Sequence, residues 1–133
     1  MTILVVDDQE NMCWILSKVL LDAGFSVKSA GTVKEACSIA SDGGLSAAVI
    51  DFRLPDGNGL DVLIELRKLA RNLPCILITS YGSKKLREEA LELGFDAYFD
   101  KPFGNNALVA ALRKSLKARS ENLTHQPNIL RGK

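Results

Sequence analysis

Histidine and cysteine are scarce in this chain, and the few present are badly placed for chemistry. His125 is the one histidine and lies in a polar stretch near the C-terminus, so neither a histidine metal centre nor a histidine-based triad has a starting point. Cys13, Cys37 and Cys75 are an odd number with no CxxC pair, which argues against a disulfide framework or a zinc site. Each sits in an apolar stretch and is expected to serve as a small buried hydrophobe. Long hydrophobic runs are also missing: no segment approaches the twenty or so apolar residues of a membrane span. Met1-Thr2-Ile3 leads directly into a strand pattern with no basic leader. The expectation is a cytoplasmic protein without membrane association.

An excess of one charge is lacking too, since 17 Lys/Arg face 16 Asp/Glu for a net charge of +1. The balance hides an asymmetry. Residues 1–112 carry 11 basic and 15 acidic side chains, and residues 113–133 carry 6 and 1. A mildly acidic main part speaks against direct nucleic-acid binding by the domain. Arg113, Lys114, Lys117 and Arg119 fit a helix C-terminus, where cations complement the dipole. Glycine is absent where a nucleotide or flavin binder would need it: Asp7-Asp8-Gln9-Glu10 follows the first apolar run in place of a phosphate cradle.

What remains is an ordinary globular composition, 47% hydrophobic and 25% charged over 133 residues, enough for one domain with one good core. Ile3-Leu4-Val5-Val6, Ala47-Ala48-Val49-Ile50 and Cys75-Ile76-Leu77-Ile78 are continuous apolar runs of strand length. Phe25 to Ala30 and Ala97-Tyr98-Phe99 supply two further strands. Between them lie amphipathic helices. The first carries Met12, Ile15, Leu16, Val19 and Leu20 and stops at Gly24. Thr32 with Glu35 forms a capping box for the second, through about Ser41. The third starts near Gly59 with Leu60, Leu63, Ile64 and Leu66 and ends near Asn72, before Leu73-Pro74. The fourth carries Leu86, Ala90 and Leu93 and stops at Gly94; the fifth starts near Asn105 and buries Leu108, Leu112 and Leu116. Five strand-then-helix repeats with unalternating strands predict an α/β fold, a doubly wound five-stranded parallel sheet covered on both faces. Residues 1–119 form the domain; Ser120 to Lys133 read as a polar linker or disordered tail.

In such a sheet all strand C-termini share one edge, where ligands bind. That edge receives Asp7 and Asp8 from the first strand, Asp51 from the third, Thr79 from the fourth and Lys101 from just past the fifth. A lone strand-end aspartate would read as a cap or a turn, but four runs ending this way indicate a shared site. Two carboxylates about 5 Å apart repel by roughly 3 kcal/mol at an effective dielectric near 20. The cluster therefore calls for a hard divalent cation, and an all-oxygen donor set favours Mg²⁺. A carboxylate between such a cation and a lysine is placed to form an aspartyl phosphate.

These residues resemble the receiver domain of two-component response regulators. The likeness rests on Val5-Val6-Asp7-Asp8, on Asp51 with Leu54-Pro55 and Gly59, on Ile78-Thr79-Ser80, on Tyr98 and on Lys101-Pro102-Phe103. The resemblance implies the flavodoxin-like (βα)5 fold with strand order 2-1-3-4-5 and a cis peptide at Lys101-Pro102. It implies Asp51 as phospho-acceptor, Asp8 and Asp51 as direct Mg²⁺ ligands with the Arg53 backbone carbonyl, and Asp7 on metal-bound water. Thr79 and Lys101 would contact the phosphoryl group, and Thr79 with Tyr98 would form the switch. The donor would be a sensor histidine kinase or phosphotransfer protein, and the responding surface the fourth helix, fifth strand and fifth helix. That surface would serve an output partner or domain, transcription among the outputs, or a homodimer. Catalysis would be limited to self-phosphorylation and slow dephosphorylation at Asp51.

Arg53 and Tyr81 lie two residues beyond Asp51 and Thr79 and are expected to overhang the site, restricting attacking water. Trp14 lies off the first helix's apolar stripe and is either a docking residue for the phosphodonor or packed on a neighbouring loop. Three alternatives weigh less. A phosphohydrolase of the haloacid dehalogenase type would need a second aspartate where Arg53 stands. A phosphorylation-independent module of the same fold would lack one of the key residues, and a nucleotide binder would need the missing glycines.

Overall fold

In the computed structural model, Ile3 to Val6 are fully buried on strand β1 (Thr2–Val6), consistent with their unbroken apolar run. The structure describes residues 1–131, with side chains through Arg119. The elements that follow are α1 (Glu10–Asp22), β2 (Ser26–Ala30), α2 (Val33–Ser41), β3 (Leu45–Asp51) and α3 (Gly59–Leu69). Then come β4 (Cys75–Thr79), α4 (Lys84–Leu93), β5 (Ala97–Asp100) and α5 (Asn105–Arg131). Between β3 and α3 a small antiparallel ribbon pairs Arg53–Leu54 with Gly57–Asn58.

The sheet is parallel with strand order β2-β1-β3-β4-β5, as the repeat pattern predicts. Alternate strand residues feed two cores. Leu4, Val6, Ala48, Ile50 and Leu77 pack with Ala36, Val62, Leu63, Leu66, Leu86 and Ala90, from α2, α3 and α4. Ile3, Val5, Val49, Ile76 and Ile78 pack with Leu16, Leu20, Leu108 and Leu112, from α1 and α5. Burying a Leu or Ile side chain contributes about 1.5–3 kcal/mol, so helices on both faces hold the sheet edge in place.

Local signals end the helices as expected in two places. Gly24 (φ 97°) follows α1 and Gly94 (φ 119°) closes α4, both in the left-handed region that glycine enters without a Cβ penalty. Thr32 caps α2 through Glu35 N–H at 3.0 Å, and Asn58 caps α3 with Asp61 completing a capping box. Lys101-Pro102 is cis.

Some details differ from expectation. α3 stops at Leu69, not near Asn72, because Ala70 leaves helical space (φ −145°, ψ 89°) and the Arg67 guanidinium binds the Arg71 carbonyl at 3.0 Å, fixing the turn toward β4. Ile15, Ile64 and Leu93, placed on apolar stripes by their spacing, are 43–45% exposed, since each lies at the stripe margin. Only Cys75 is buried; Cys13 and Cys37 are half-buried near helix surfaces. The backbone of α5 is helical through Arg131, across residues read from the sequence as a linker or tail from Ser120. The packing of its side chains lies outside those described. No helix among the described residues is long and apolar enough to cross a membrane.

Candidate functional site

β1, β3 and β4 run side by side, with Val6 opposite Ile50 and Asp51 opposite Ile78. This register brings the residues after β1, at the end of β3 and at the end of β4 to one edge. Asp7, Asp8 and Asp51 each offer a carboxylate oxygen, and all three oxygens lie within 4.8 Å of one another. Lys101, carried in from β5, places Nζ 3.0 Å from Asp7 Oδ2 and 3.4 Å from Asp51 Oδ1. Thr79 is fully buried beside them.

The two neighbouring acids have different positions. Asp7 is 1% exposed and held from three sides: its Oδ1 accepts from Gln9 N–H at 3.0 Å, its Oδ2 takes Lys101, and its backbone carbonyl accepts the Cys13 thiol at 3.0 Å. Asp8 is exposed and forms part of the pocket wall. Asp51 Oδ1 accepts from Phe52 N–H at 3.0 Å and also faces Lys101, so among the described residues both of its close contacts fall on one oxygen. Oδ2 carries neither of them.

Electrostatically the site is under-neutralised, with three carboxylates around one ammonium. Burial, and next the charge of Asp7, push the Asp51 carboxyl up to about 6, against the opposing pull of Lys101 and of the Phe52 N–H. A second cation would relieve that repulsion. Closely spaced oxygen donors of this kind fit a hard divalent ion that completes its shell with water or phosphoryl oxygens.

A cavity of about 190 Å³ opens over Asp51, walled by Asp8, Gln9, Thr79, Ser80 and Lys101 and overhung by Arg53 and Tyr81. The Arg53 guanidinium carbon lies 4.0 Å from the Tyr81 ring centroid. The two side chains predicted to overhang the mouth thus stack on each other across it. Thr79 Oγ1 accepts from Tyr81 N–H at 3.0 Å, so the loop bearing the overhang is anchored on the buried hydroxyl. Tyr98 stands apart from the acids, half-buried, and donates its hydroxyl to Asp100 Oδ1 at 2.9 Å.

Gln9, Ser80 and the thiol of Cys13 were not legible as site components. Gln9 follows the acid pair and Ser80 follows Thr79, so adjacency to the strand ends was the available signal; a thiol reaching back across the first turn of α1 left none. Trp14 is 66% exposed, with Lys18 Nζ 5.4 Å from its ring centroid.

Comparison with known proteins gives the same picture. The response regulator receiver domain family matches residues 3–113. The transcriptional regulatory protein CusR of Escherichia coli is 35% identical over 117 residues, covering 88% of this chain and 52% of that protein. A probable transcriptional regulatory protein SilR of Salmonella typhimurium is 35% identical over 124 residues, covering 93% and 54%. The chain thus spans about half the length of these curated relatives. Among solved structures, a CheY-like receiver domain from Methanospirillum hungatei superposes with a TM-score of 0.86 at 27% identity, covering 91% of this chain and 97% of that one. A response regulator from Burkholderia pseudomallei, crystallised with a phosphorylated aspartic acid, a calcium ion and citrate, gives a TM-score of 0.79 at 26% identity, covering 91% and 72%. With the parallel sheet, the acid cluster at its edge and the lysine behind a cis proline, this chain belongs to the response regulator receiver domain family.

Proposed function

We propose that the chain is a phospho-accepting receiver in which Asp51 takes a phosphoryl group from a sensor histidine kinase or phosphotransfer protein. The observation that carries the reading is the placement of Asp51, buried at the end of β3 between the Lys101 ammonium and the Asp7-Asp8 pair, with one oxygen held and the other directed to chemistry. In the transfer, Asp51 Oδ2 forms the new P–O bond while the P–N bond of the phosphohistidine breaks. The departing imidazole nitrogen keeps the bonding electron pair and takes up a proton.

Each residue has a role consistent with its surroundings. Desolvation of Asp51 strengthens its carboxylate as a nucleophile relative to one in water. Asp8, Asp51 and the Arg53 backbone carbonyl would hold Mg²⁺, with Asp7 on a metal-bound water; the ion supplies neutralisation of the charge developing on the phosphoryl oxygens. Lys101 is an ammonium donor to the same oxygens. Thr79 is a hydroxyl donor whose movement toward the new dianion would pull on Tyr81 through their hydrogen bond and clear space for Tyr98. The surface made by α4, β5 and α5 would then change and serve an output partner, an output domain or a homodimer. Catalysis is confined to the chain's own phosphorylation and slow dephosphorylation.

CusR and SilR are transcriptional regulatory proteins, which supports transcription as the controlled process. Residues 1–119 form the receiver and 120–133 the connection onward. The setting is cytoplasmic, where a histidine kinase presents its phosphohistidine. The mild acidic excess of residues 1–112, 15 acidic against 11 basic side chains, supports control through a partner without direct nucleic-acid contact. The test is incubation with a small phosphodonor and Mg²⁺ followed by intact-mass measurement. A phosphoryl adduct on the wild type and none on Asp51→Asn is expected; an equal adduct on both would place the acceptor elsewhere.

A further inference from the structure

Asp56 sits at the tip of the ribbon, five residues past the acceptor, and has no part in the chemistry just described. Its carboxylate accepts two backbone hydrogen bonds from the first turn of α2, Val33 N–H to Oδ1 at 2.8 Å and Lys34 N–H to Oδ2 at 3.0 Å. These donors lie 23 and 22 residues earlier in the chain. α2 already has a local cap, Thr32, which satisfies Glu35 N–H. Asp56 therefore supplies from another segment what the remaining free donors of a helix start require. Those two hydrogen bonds hold its carboxyl below the usual carboxylate range.

Of the two segments joined this way, the ribbon contributes Arg53 to one wall of the acid pocket, and the loop leading into α2 lies behind the wall that bears Asp8. The loop leading into α2 lies against the first acidic segment: Asp7 N–H donates to the Ala30 carbonyl at 3.0 Å. A Cβ on Gly31 would lie 3.9 Å from both the Asp7 carbonyl oxygen and Asp8 Cα. On the other wall, the ribbon begins at Arg53, pairs it with Asn58 and is closed at its base by Gly59 N–H on the Phe52 carbonyl at 2.7 Å. Leu54 buried in the core and Asn58 capping α3 hold the ribbon toward α3, and Asp56 is its hydrogen-bonded link to α2.

We propose that Asp56 is a positioning residue for the cation site, clamping the ribbon tip to α2 and so fixing the Arg53 carbonyl relative to Asp7 and Asp8. The clamp rests on the reading of that carbonyl as a Mg²⁺ ligand. Outer partners that orient metal ligands typically contribute roughly ten- to a hundredfold to affinity. A backbone ligand held at one remove belongs at the lower end, about tenfold.

The experiment is calorimetric Mg²⁺ titration of the full chain as wild type, Asp56→Ala, Asp56→Asn and Thr32→Ala, with unfolding stability measured on each. Asp56→Ala is expected to bind Mg²⁺ about tenfold more weakly. Thr32→Ala removes a side-chain cap from the same helix and is expected to stay within about twofold of wild type at comparable loss of stability. Asp56→Asn keeps an acceptor for Val33 but turns an amide nitrogen toward Lys34, so its affinity should fall in between; it carries the test if the alanine variant fails to fold. Wild-type affinity in Asp56→Ala, or equal weakening in Thr32→Ala, overturns the clamp while leaving Asp51 as acceptor intact. Absence of Mg²⁺ uptake by the wild type overturns the underlying reading and the clamp with it.

Discussion

Replacing Asp51 with Asn is expected to stabilise the cation-free protein, the reverse of the usual result for a change at a buried polar position. The carboxyl is raised from 3.8 to about 6 by burial and by Asp7, with Lys101 only partly compensating. A tenfold change in proton affinity corresponds to about 1.36 kcal/mol, so at neutral pH the ionised side chain costs the fold about 3 kcal/mol. Asn has nearly the same shape and can still accept from Phe52 N–H, but it carries no charge to desolvate and none to repel Asp7. Allowing for imperfect contacts of the new amide with Lys101, the expected gain is about 1–3 kcal/mol.

The sign gives a pH signature that separates this cause from generic repacking. Because the folded-state value is raised, the contribution of Asp51 is fully present below about 3.8 and is lost as pH rises through about 6. The stability difference between Asp51→Asn and wild type should therefore be small near pH 4, grow between about 4 and 6, and level off above. Urea unfolding in the presence of a chelator, at half-unit pH steps, measures it. Saturating Mg²⁺ should reverse the order near pH 7.5, since binding stabilises only the form that binds. A variant less stable than wild type in chelator at about pH 7.5, or a difference flat with pH, would refute the reasoning.

Three further outcomes follow from the same geometry. Lys101→Met leaves Asp7 buried without its ammonium partner and should destabilise the cation-free domain by about 3 kcal/mol at pH 7.5, read by urea unfolding; a loss under about 1 kcal/mol would mean that the buried ion pair does not hold the fold. Gly59→Ala would place a Cβ 2.7 Å from Leu77 Cδ1 and 2.8 Å from the Asp51 carbonyl oxygen, so about 1–3 kcal/mol of overpacking and slower phosphorylation are expected together, by unfolding and intact mass. Arg53→Ala removes the stack on Tyr81, worth about 0.5–1 kcal/mol at an exposed position, and should speed phosphoryl loss from Asp51 about two- to fivefold in a phosphate-release assay; an unchanged rate would sink the idea that the stacked pair restrains water.

Much of this was legible because periodicity and strand ends are local. The apolar runs Ile3–Val6 and Cys75–Ile78 needed only their own composition to declare a sheet buried on both faces, and a parallel sheet then obliges Asp7, Asp8, Asp51 and Thr79 to meet. What composition could not say is which neighbour plays which part. Composition and periodicity do not separate Asp7 from Asp8, to which only the resemblance gave different roles, yet one is enclosed by Lys101, Gln9 and Cys13 while the other faces the cavity. Contacts between distant segments were equally silent, because a capping aspartate reads as a turn residue until the helix it caps is known. Asp56 on α2 is one case. Asp96 is another: it accepts from Cys75 N–H and pairs with Arg67 and Arg119, pinning α5 to the far end of the sheet.

The balance of charge at the sheet edge explains why such a site can act as a switch. One ammonium shared by Asp7 and Asp51 suffices to fold the domain but not to satisfy Asp8, so the resting pocket attracts cations. A bound dication brings three carboxylates and one ammonium to local neutrality, and a phosphoryl group of nearly two negative charges on Asp51 then finds neutralisation it would not find in the cation-free site. Binding of the ion and occupancy by phosphoryl should therefore reinforce each other, and by linkage each must raise the affinity for the other by the same factor. Asp7 makes the coupling possible: buried and held on both oxygens, it keeps Lys101 near the acceptor whether or not Asp51 carries its extra charge.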